Sequence, residues 1–458
     1  MRRNDAGSRV GGIIMTTPIA DFVRSYASSD TSRFHMPGHK GQNILGCEGL
    51  DITEIRGADV LGSASGIIAE SEANAASLFG SAYTLYSTEG SSLCIRAMMA
   101  LIKKRGGKNA KILAARNAHK AFIYACALCD VDVEWIYPEG SSHLCSCHIS
   151  PEMLEEALTN TDKPSAVYIT SPDYLGNIAD VKGLSEVCHK HGIPLLVDNA
   201  HGAYLAFRSP SEHPITLGAD MCCDSAHKTL PVLTGGAYLH ISKEFNLFSA
   251  QKARNAMSLF ASTSPSYLIL QSLDLCNAYL ADGYKERLED FVKKIDKVRE
   301  ELSSMGFTPV ENTEALKLVF SKESCGYGGE ELATHLANHK IEVEYYDRDL
   351  LVLMLTPELS DSDLHRLTEA FAALEVRASH EAPCPLTLTE SVTKISIREA
   401  VFADSETIST HDAKGRICAS PTVSCPPAIP IVVSGEVIDE NAVELLLYYG
   451  IEEIEVIK

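Results

Sequence analysis

Long apolar runs are missing from this chain. No stretch reaches the roughly 18 residues that a bilayer-crossing helix needs, the best candidates being broken by Asp, Lys or Gly, and an integral membrane protein is not expected. Met1 to Ile14 carries two arginines and a short glycine-rich stretch but no apolar core of the secretory kind, so a cytoplasmic protein is expected. Met15 opens a more promising segment, Thr16 to Tyr26, and is the second candidate start of the folded chain. Basic residues are in short supply: 40 Lys plus Arg stand against 61 Asp plus Glu, a formal charge of −21. Such a surface repels phosphate backbones, which argues against nucleic acid as a partner and favours a small cationic substrate. Internal repeats and low-complexity tracts are absent too, and a composition of 45% hydrophobic and 22% charged residues excludes disorder, collagen and coiled coil.

Paired metal-ligand spacing is also lacking. The 14 cysteines are scattered through helical and strand-like segments and read as mostly buried free thiols. Two clusters, Cys145-Ser-Cys147-His148 and Cys188-His189 with His191, have no second ligand pair at zinc spacing, so no metal is expected.

What the chain does have is rhythm. From about Ile67 to Ile241, amphipathic helices alternate with short apolar strands: helix Ile67 to Phe79, strand Thr84 to Ser87, helix Ser91 to Lys104, strand Lys111 to Ala115 and helix His119 to Cys129. Strand Val131 to Ile136, strand Ala166 to Thr170, helix Leu184 to His191 and strand Pro194 to Val197 continue it. This predicts crossover connections and a mainly parallel α/β sheet, with chemistry just beyond the carboxyl ends of the strands. Helices are expected over Glu244 to Met257 and Tyr267 to Met305. A smaller α/β unit follows, then a linker over Val376 to Leu388 and a third, α+β unit from near Thr389. The expected domains are 1–290, 291–376 and 385–458.

Four strand ends carry the residues of interest. Ser225-Ala-His227-Lys228-Thr229, before Gly235-Gly236, sets a lysine after an apolar strand, where desolvation makes an amine nucleophilic enough for Schiff-base chemistry. An isolated lysine of this kind is usually a surface residue. Its weight comes from Asp198, followed by Asn199-Ala-His201-Gly, whose carboxylate can face a protonated pyridine nitrogen. Ser87-Thr88-Glu89-Gly90-Ser91-Ser92 opens a helix and offers backbone N–H groups to a phosphate, although Ser and Thr there are equally plain caps. Arg116-Asn-Ala-His119-Lys120 adds a histidine that can stack on a ring or cap a helix.

Together these residues resemble the Orn/Lys/Arg decarboxylase family of fold type I pyridoxal-phosphate enzymes, in the short bacterial form without a wing domain. Phe34-His-Met-Pro-Gly-His-Lys-Gly41, Asp51-Ile-Thr-Glu54, Ser171-Pro172 with Tyr174 and Gly176, and Ser262-Thr263-Ser264-Pro-Ser-Tyr267 follow the family's order. So do Ile397 to Ala400, Gly415 to Ile417, Pro426 to Pro430 and Gly435-Glu436. The resemblance implies a three-layer transferase-like large domain, a smaller α/β domain and a C-terminal domain. It implies decarboxylation of arginine, lysine or ornithine to the amine and CO2, in polyamine biosynthesis, with Lys228 forming the Schiff base. It further implies Asp198 at the pyridine nitrogen, His119 on the ring, His201 near the ring hydroxyl, and Lys228 or His227 as proton donor. Ser87, Thr88, Gly90, Ser91 and Ser92, helped by Ser225 and His227, are implied to bind the phosphate. Ser262, Thr263 and Ser264 are implied to complete the site of a partner in a homodimer or larger assembly.

The chain departs from the family at Asn199, where Glu is common, and at Asp173, where Thr is usual. Glu89 brings a negative charge into the phosphate loop that must turn outward. Alternatives on the same scaffold are an aminotransferase, which would need an arginine such as Arg254 or Arg398 for the substrate carboxylate, or a carbon–sulfur lyase. A non-catalytic paralogue is the third reading, against which Lys228 and Asp198 argue.

Overall fold

Four short strands form the centre of the first of two units in the computed structural model. It describes residues 8–10, 13–138, 143–245, 247–377, 388–421 and 427–458. The units are Met1–Gly107 with Cys188–Glu286, and Lys108–Val187 with Arg287–Lys458.

In the first unit the strands lie in the order Tyr83–Ser87, Ala237–Ile241, Met221–Asp224, Leu195–Asp198. Every residue of the last three is buried, as expected of strands covered on both faces by helices. Leu195–Asp198 and Met221–Asp224 run parallel, with Asp198 beside Cys223. Ala237–Ile241 is antiparallel to both its neighbours. The carboxyl ends of Tyr83–Ser87, Met221–Asp224 and Leu195–Asp198 therefore share one edge, and the loops that begin at Thr88, Asn199 and Ser225 leave from it. The register also aligns Val197, Cys222, His240 and Thr84 in one row across the strands.

Helices Ile67–Phe79, Ser91–Gly106, Ala250–Ser258 and Tyr267–Ala281 belong to this unit. Ser91–Gly106 buries nine side chains and ends in Lys103, Lys104 and Arg105, charges that suit the negative end of its dipole. Pro18–Ala27 starts with proline at its first turn, and the buried Asp274 carboxylate accepts the Ala20 N–H at 2.9 Å.

The second unit holds a parallel sheet in the order Ala166–Thr170, Lys111–Ala115, Asp132–Ile136. An antiparallel sheet of Lys317–Ser321, Leu350–Met354 and Tyr345–Tyr346 follows. Ser405–Ser409, Glu453–Ile457 and Cys418–Ser420 make the last sheet. Arg116, 1% exposed, anchors the C-terminal segment: its guanidinium donates to the Pro430 and Ile431 carbonyls, both at 2.8 Å, and meets Glu436 at 3.5 Å.

The elements read between Ile67 and Val197 are present, with ends moved by a few residues. The long helix expected over Tyr267 to Met305 is two, Tyr267–Ala281 and Tyr284–Ser304, because Gly283 takes φ 68 and breaks the turn. The helix expected from Glu244 starts at Ala250, where Ser249 caps it. Helix Pro151–Asn160, capped by Ser150, and strand Ala237–Ile241 were not anticipated. Most of the linker expected over 376–388, the residues before Ser8, and Pro426 lie outside the described residues. The 12 described cysteines are free and nine of them are buried. No helix among the described residues is long and apolar enough to cross a membrane.

Asp274 gives the first unit a pH signature. Burial pushes its carboxyl up to about 6, against hydrogen bonds from Ser71 and the Ala20 backbone. Because the folded value is raised, the stability it contributes is complete below the ordinary 3.8 and is lost as pH rises through about 6. Relative to Asp274→Asn, the wild type should gain about 1 kcal/mol between about pH 7.5 and 5 in urea titrations. Parallel pH curves for the two proteins would show that Asp274 is not the source.

Candidate active site

The Tyr83–Ser87 strand hands over to helix Ser91–Gly106 through a turn that its own residues tie. Ser87 Oγ donates to the Gly90 carbonyl at 2.9 Å and accepts the Glu89 N–H at 3.1 Å. Gly90, with φ 72, is the helix N-cap, and its N–H donates to the Gly235 carbonyl at 2.8 Å. Gly235 has φ +95, and a Cβ there would stand 3.0 Å from the Thr88 carbonyl oxygen. Ser87 thus shapes the loop, while the first N–H groups of a 16-residue helix, with Ser91 and Ser92, are donors of the kind that would receive an anion. Ser225 joins them, its Oγ donating to Ser91 Oγ at 2.8 Å. Glu89 is exposed and its carboxylate accepts the Ser262 N–H at 2.7 Å, so its charge does turn outward.

Two strand ends supply the acid and the amine. Asp198 is 2% exposed and accepts from the Ala200 N–H at 3.3 Å and the Cys223 thiol at 3.5 Å. Burial first, then the nearby carboxylates, pushes the Cys223 and Cys94 thiols far above the usual range, so both stay neutral. Lys228 is half-buried, and its Nζ lies 3.0 Å from Nε2 of the buried His201. His227 Nδ1 donates to the Gly236 carbonyl at 3.0 Å, which fixes its tautomer and ties the lysine loop to the glycine pair.

Lys228, Asp198, His201, Ser225, His227 and the loop Ser87 to Ser92 therefore gather on one edge of the first unit. Ser262, Thr263 and Ser264 are exposed, joined to that edge through Glu89, while Ser266 caps the following helix. His119 lies in the second unit and caps helix Lys120–Cys129, its Nδ1 accepting the Ala121 N–H at 3.1 Å.

Both arginines considered for a substrate carboxylate are engaged elsewhere. Arg254 forms a buried fork with Glu72, at 3.2 and 2.5 Å, and donates to the Leu61 carbonyl. Arg398 donates to the Ala127 and Leu128 carbonyls. Asp173 organises its own turn, accepting from Leu175 N and Asn177 N, both at 2.9 Å, and from Ser146 Oγ at 2.7 Å. Sequence reasoning missed His213, Asp224 and His240, whose ligand-type atoms lie within 4.8 Å of one another in the core. Asp224 ends the apolar strand before the lysine loop, the one signal that could have pointed to its burial, whereas His240 lies in the unanticipated strand Ala237–Ile241.

An edge of this build, with lysine, buried carboxylate and helix N-terminus at neighbouring strand ends, defines a fold type I pyridoxal-phosphate enzyme. Solved structures share that fold. The constitutive lysine decarboxylase of E. coli aligns with TM-score 0.76 and 17% identity over 97% of this chain and 82% of its own. The lysine decarboxylase of Francisella novicida aligns with TM-score 0.79 and 16% identity over 97% and 81%. The model of the Orn/Lys/Arg decarboxylase major domain matches residues 17–324, and that of the C-terminal domain matches 387–453. The chain belongs to the Orn/Lys/Arg decarboxylase family and is a decarboxylase. It is similar to the arginine decarboxylases of Bacillus subtilis (29% identical, 94% of this chain and 93% of the relative) and Halalkalibacterium halodurans (28%, 93% and 91%).

Pyridoxal phosphate is the cofactor, and the residues fit it: a glycine-shaped loop for the phosphate, a buried carboxylate for a ring nitrogen, and a half-buried amine for the aldehyde. Gly235→Ala tests the loop. The methyl group meets the Thr88 carbonyl at an unfavourable φ, so cofactor affinity should fall about tenfold or more in a fluorescence titration. Wild-type affinity would show that Gly235 does not shape the phosphate seat.

Proposed function

We propose that the protein decarboxylates a basic amino acid, arginine, lysine or ornithine, to the corresponding amine and CO2, with Lys228 as the Schiff-base lysine. The observation that carries this reading is the common edge shared by Lys228, Asp198 and the loop before Ser91. The arginine decarboxylases among the relatives favour arginine among the three substrates. The engagement of Arg254 and Arg398 by protein groups favours decarboxylation over transamination, since a substrate carboxylate held by arginine is stabilised against leaving. In the cytoplasm, such a reaction would serve polyamine biosynthesis.

Bound pyridoxal phosphate supplies the electron sink that takes up the pair left when CO2 departs. The chain's own residues do the rest. Lys228 Nζ is the nucleophile, and His201 Nε2, 3.0 Å away, takes or returns its proton. Asp198 holds the ring nitrogen protonated, and its burial strengthens that attraction. Ser91, Ser92, Ser225 and the backbone of Thr88 to Gly90 hold the phosphate, and Ser87 keeps their loop closed. His119 keeps the ring-stacking role that the family likeness gives it. Lys228 or His227 returns a proton to the α-carbon. We divide the chain into domains 1–290, 291–376 and 385–458 on the same likeness.

The active unit is at least a homodimer in this reading, with Ser262, Thr263 and Ser264 completing the partner's site. Support comes from their exposure and from an apolar N-terminal segment left open to solvent, where Phe34 is 96%, Ile44 77% and Leu45 86% exposed.

Incubation with cofactor and each basic amino acid, followed by mass spectrometry of the products, should yield the amine from one of the three. Borohydride reduction should leave the pyridoxyl group on Lys228, and Lys228→Ala should abolish turnover. A keto acid product, or a pyridoxyl group on another lysine, sinks the reading. Mixing inactive Lys228→Ala and Ser264→Arg chains tests the shared site: activity should return as subunits exchange. Mixed dimers that form and remain dead would rule out the sharing.

A further inference from the structure

Behind the edge that carries Asp198 and Lys228, the core of the first unit contains the carboxylate of Asp224. Asp224, His213, His240 and Asn199 are all 0% exposed. Asp224 Oδ2 meets His213 Nε2 at 3.0 Å and His240 Nε2 at 3.1 Å, and Asp224 Oδ1 accepts from Asn199 Nδ2 at 2.7 Å. The chain of bonds continues outward. His240 Nδ1 lies 2.8 Å from Thr84 Oγ1, which lies 2.8 Å from Ser81 Oγ.

The donors can be assigned. The Ile215 N–H faces His213 Nδ1 at 3.4 Å, so Nδ1 accepts and the proton sits on Nε2, where it donates to Asp224. A histidine with Nε2 protonated has no lone pair there for a metal ion. In His240 the Thr84 hydroxyl donates to Nδ1, and Nε2–H likewise donates to Asp224. Three N–H groups then converge on one ionised carboxylate, which is what a buried anion needs in order to be tolerated. Burial would raise the Asp224 carboxyl, but His213 and His240 outweigh it and hold it below the usual carboxylate range. Burial pushes the His240 imidazole down, against the pull of Asp224.

The location matters as much as the chemistry. Side chains alternate along a strand, so neighbours in sequence point to opposite faces. Asn199 follows Asp198 and reaches back to Asp224, while Asp224 precedes Ser225, which reaches forward to Ser91. One hydrogen bond of 2.7 Å thus joins the residue after the ring-facing carboxylate to the residue before the lysine loop.

We propose that Asp224, held as an anion by His213, His240 and Asn199, is a positioning residue that fixes the two strand ends carrying Asp198 and Lys228 relative to each other. The inference rests on the reading of those two residues as cofactor partners. It also gives Asn199 a reason: an amide donates to Asp224 where a carboxylate would repel it.

The test is a cycle on the Asn199–Asp224 contact, in holoenzyme and in full-length apoprotein. Asn199→Asp sets two carboxylates against each other, Asp224→Asn removes the anion, and the double variant exchanges the groups and restores one of each. Each single variant should lower kcat about tenfold with KM within about twofold, and should change the visible circular dichroism of the bound cofactor. The double variant should recover to within about threefold of wild type, and apoprotein melting temperatures should show the same non-additivity. If a single variant does not fold, Thr84→Val, which removes only the hydroxyl behind His240, should cost about threefold in kcat at unchanged KM.

Single variants with wild-type kcat and dichroism, a double variant no better than the singles, or an unaffected Thr84→Val where the singles do not fold would overturn the proposal. Stoichiometric zinc in the wild type that is lost in His213→Gln would overturn it too. A pyridoxyl group on a lysine other than Lys228 would instead remove the underlying reading, and would leave the apoprotein coupling as it is.

Discussion

A carboxylate buried at the end of a strand costs several kcal/mol unless strong donors or a cation meet it, and Asp198 is 2% exposed at the end of Leu195–Asp198. The rest of the edge is arranged around that constraint. The neighbouring strand Met221–Asp224 is buried along its whole length, so the carboxylate lies in surroundings shielded from water that strengthen any charge it faces. The thiol beside it stays neutral and donates. The amine of Lys228 comes from the next strand's loop, where its Nζ meets His201 Nε2 at 3.0 Å. A protonated ring nitrogen is the cation that such a place accommodates, and that is the state in which pyridoxal phosphate serves as an electron sink.

Strand direction explains why these groups meet. Tyr83–Ser87, Met221–Asp224 and Leu195–Asp198 point the same way, so the loop after Ser87, the Asp198 carboxylate and the lysine loop of Lys228, far apart in sequence, leave from one edge. Glycines make the close approaches possible at two points: Gly90, whose N–H reaches the Gly235 carbonyl, and Gly235 itself.

Much of this is legible in the sequence. The helix Ile67–Phe79 and the strands Lys111–Ala115 and Ala166–Thr170 lie where the periodicity put them. The break at Gly283 was hidden because Leu and Val keep helical spacing on both sides of it. Helix Pro151–Asn160 was missed although Ser150 and Pro151 mark its start. The candidate site was read from strand ends, a local signal, whereas its support was not. Arg254 and Glu72 are 182 positions apart, and Asn199 and Asp224 25 apart, with nothing in the intervening pattern to announce a contact. The departures at Asp173 and Glu89 make sense only with their partners in view: a self-capped turn in one case, an N–H from Ser262 in the other.

The central claim is that Asp198 keeps the ring nitrogen of the cofactor protonated. Loading the protein with pyridoxal phosphate carrying 15N in the ring, and reading the nitrogen shift by NMR between about pH 6 and 9, tests it directly. The account predicts a pyridinium shift throughout in the wild type and a neutral pyridine shift in Asp198→Asn with the cofactor still bound. A neutral ring nitrogen in the wild type, or an unchanged pyridinium in the variant, would contradict it.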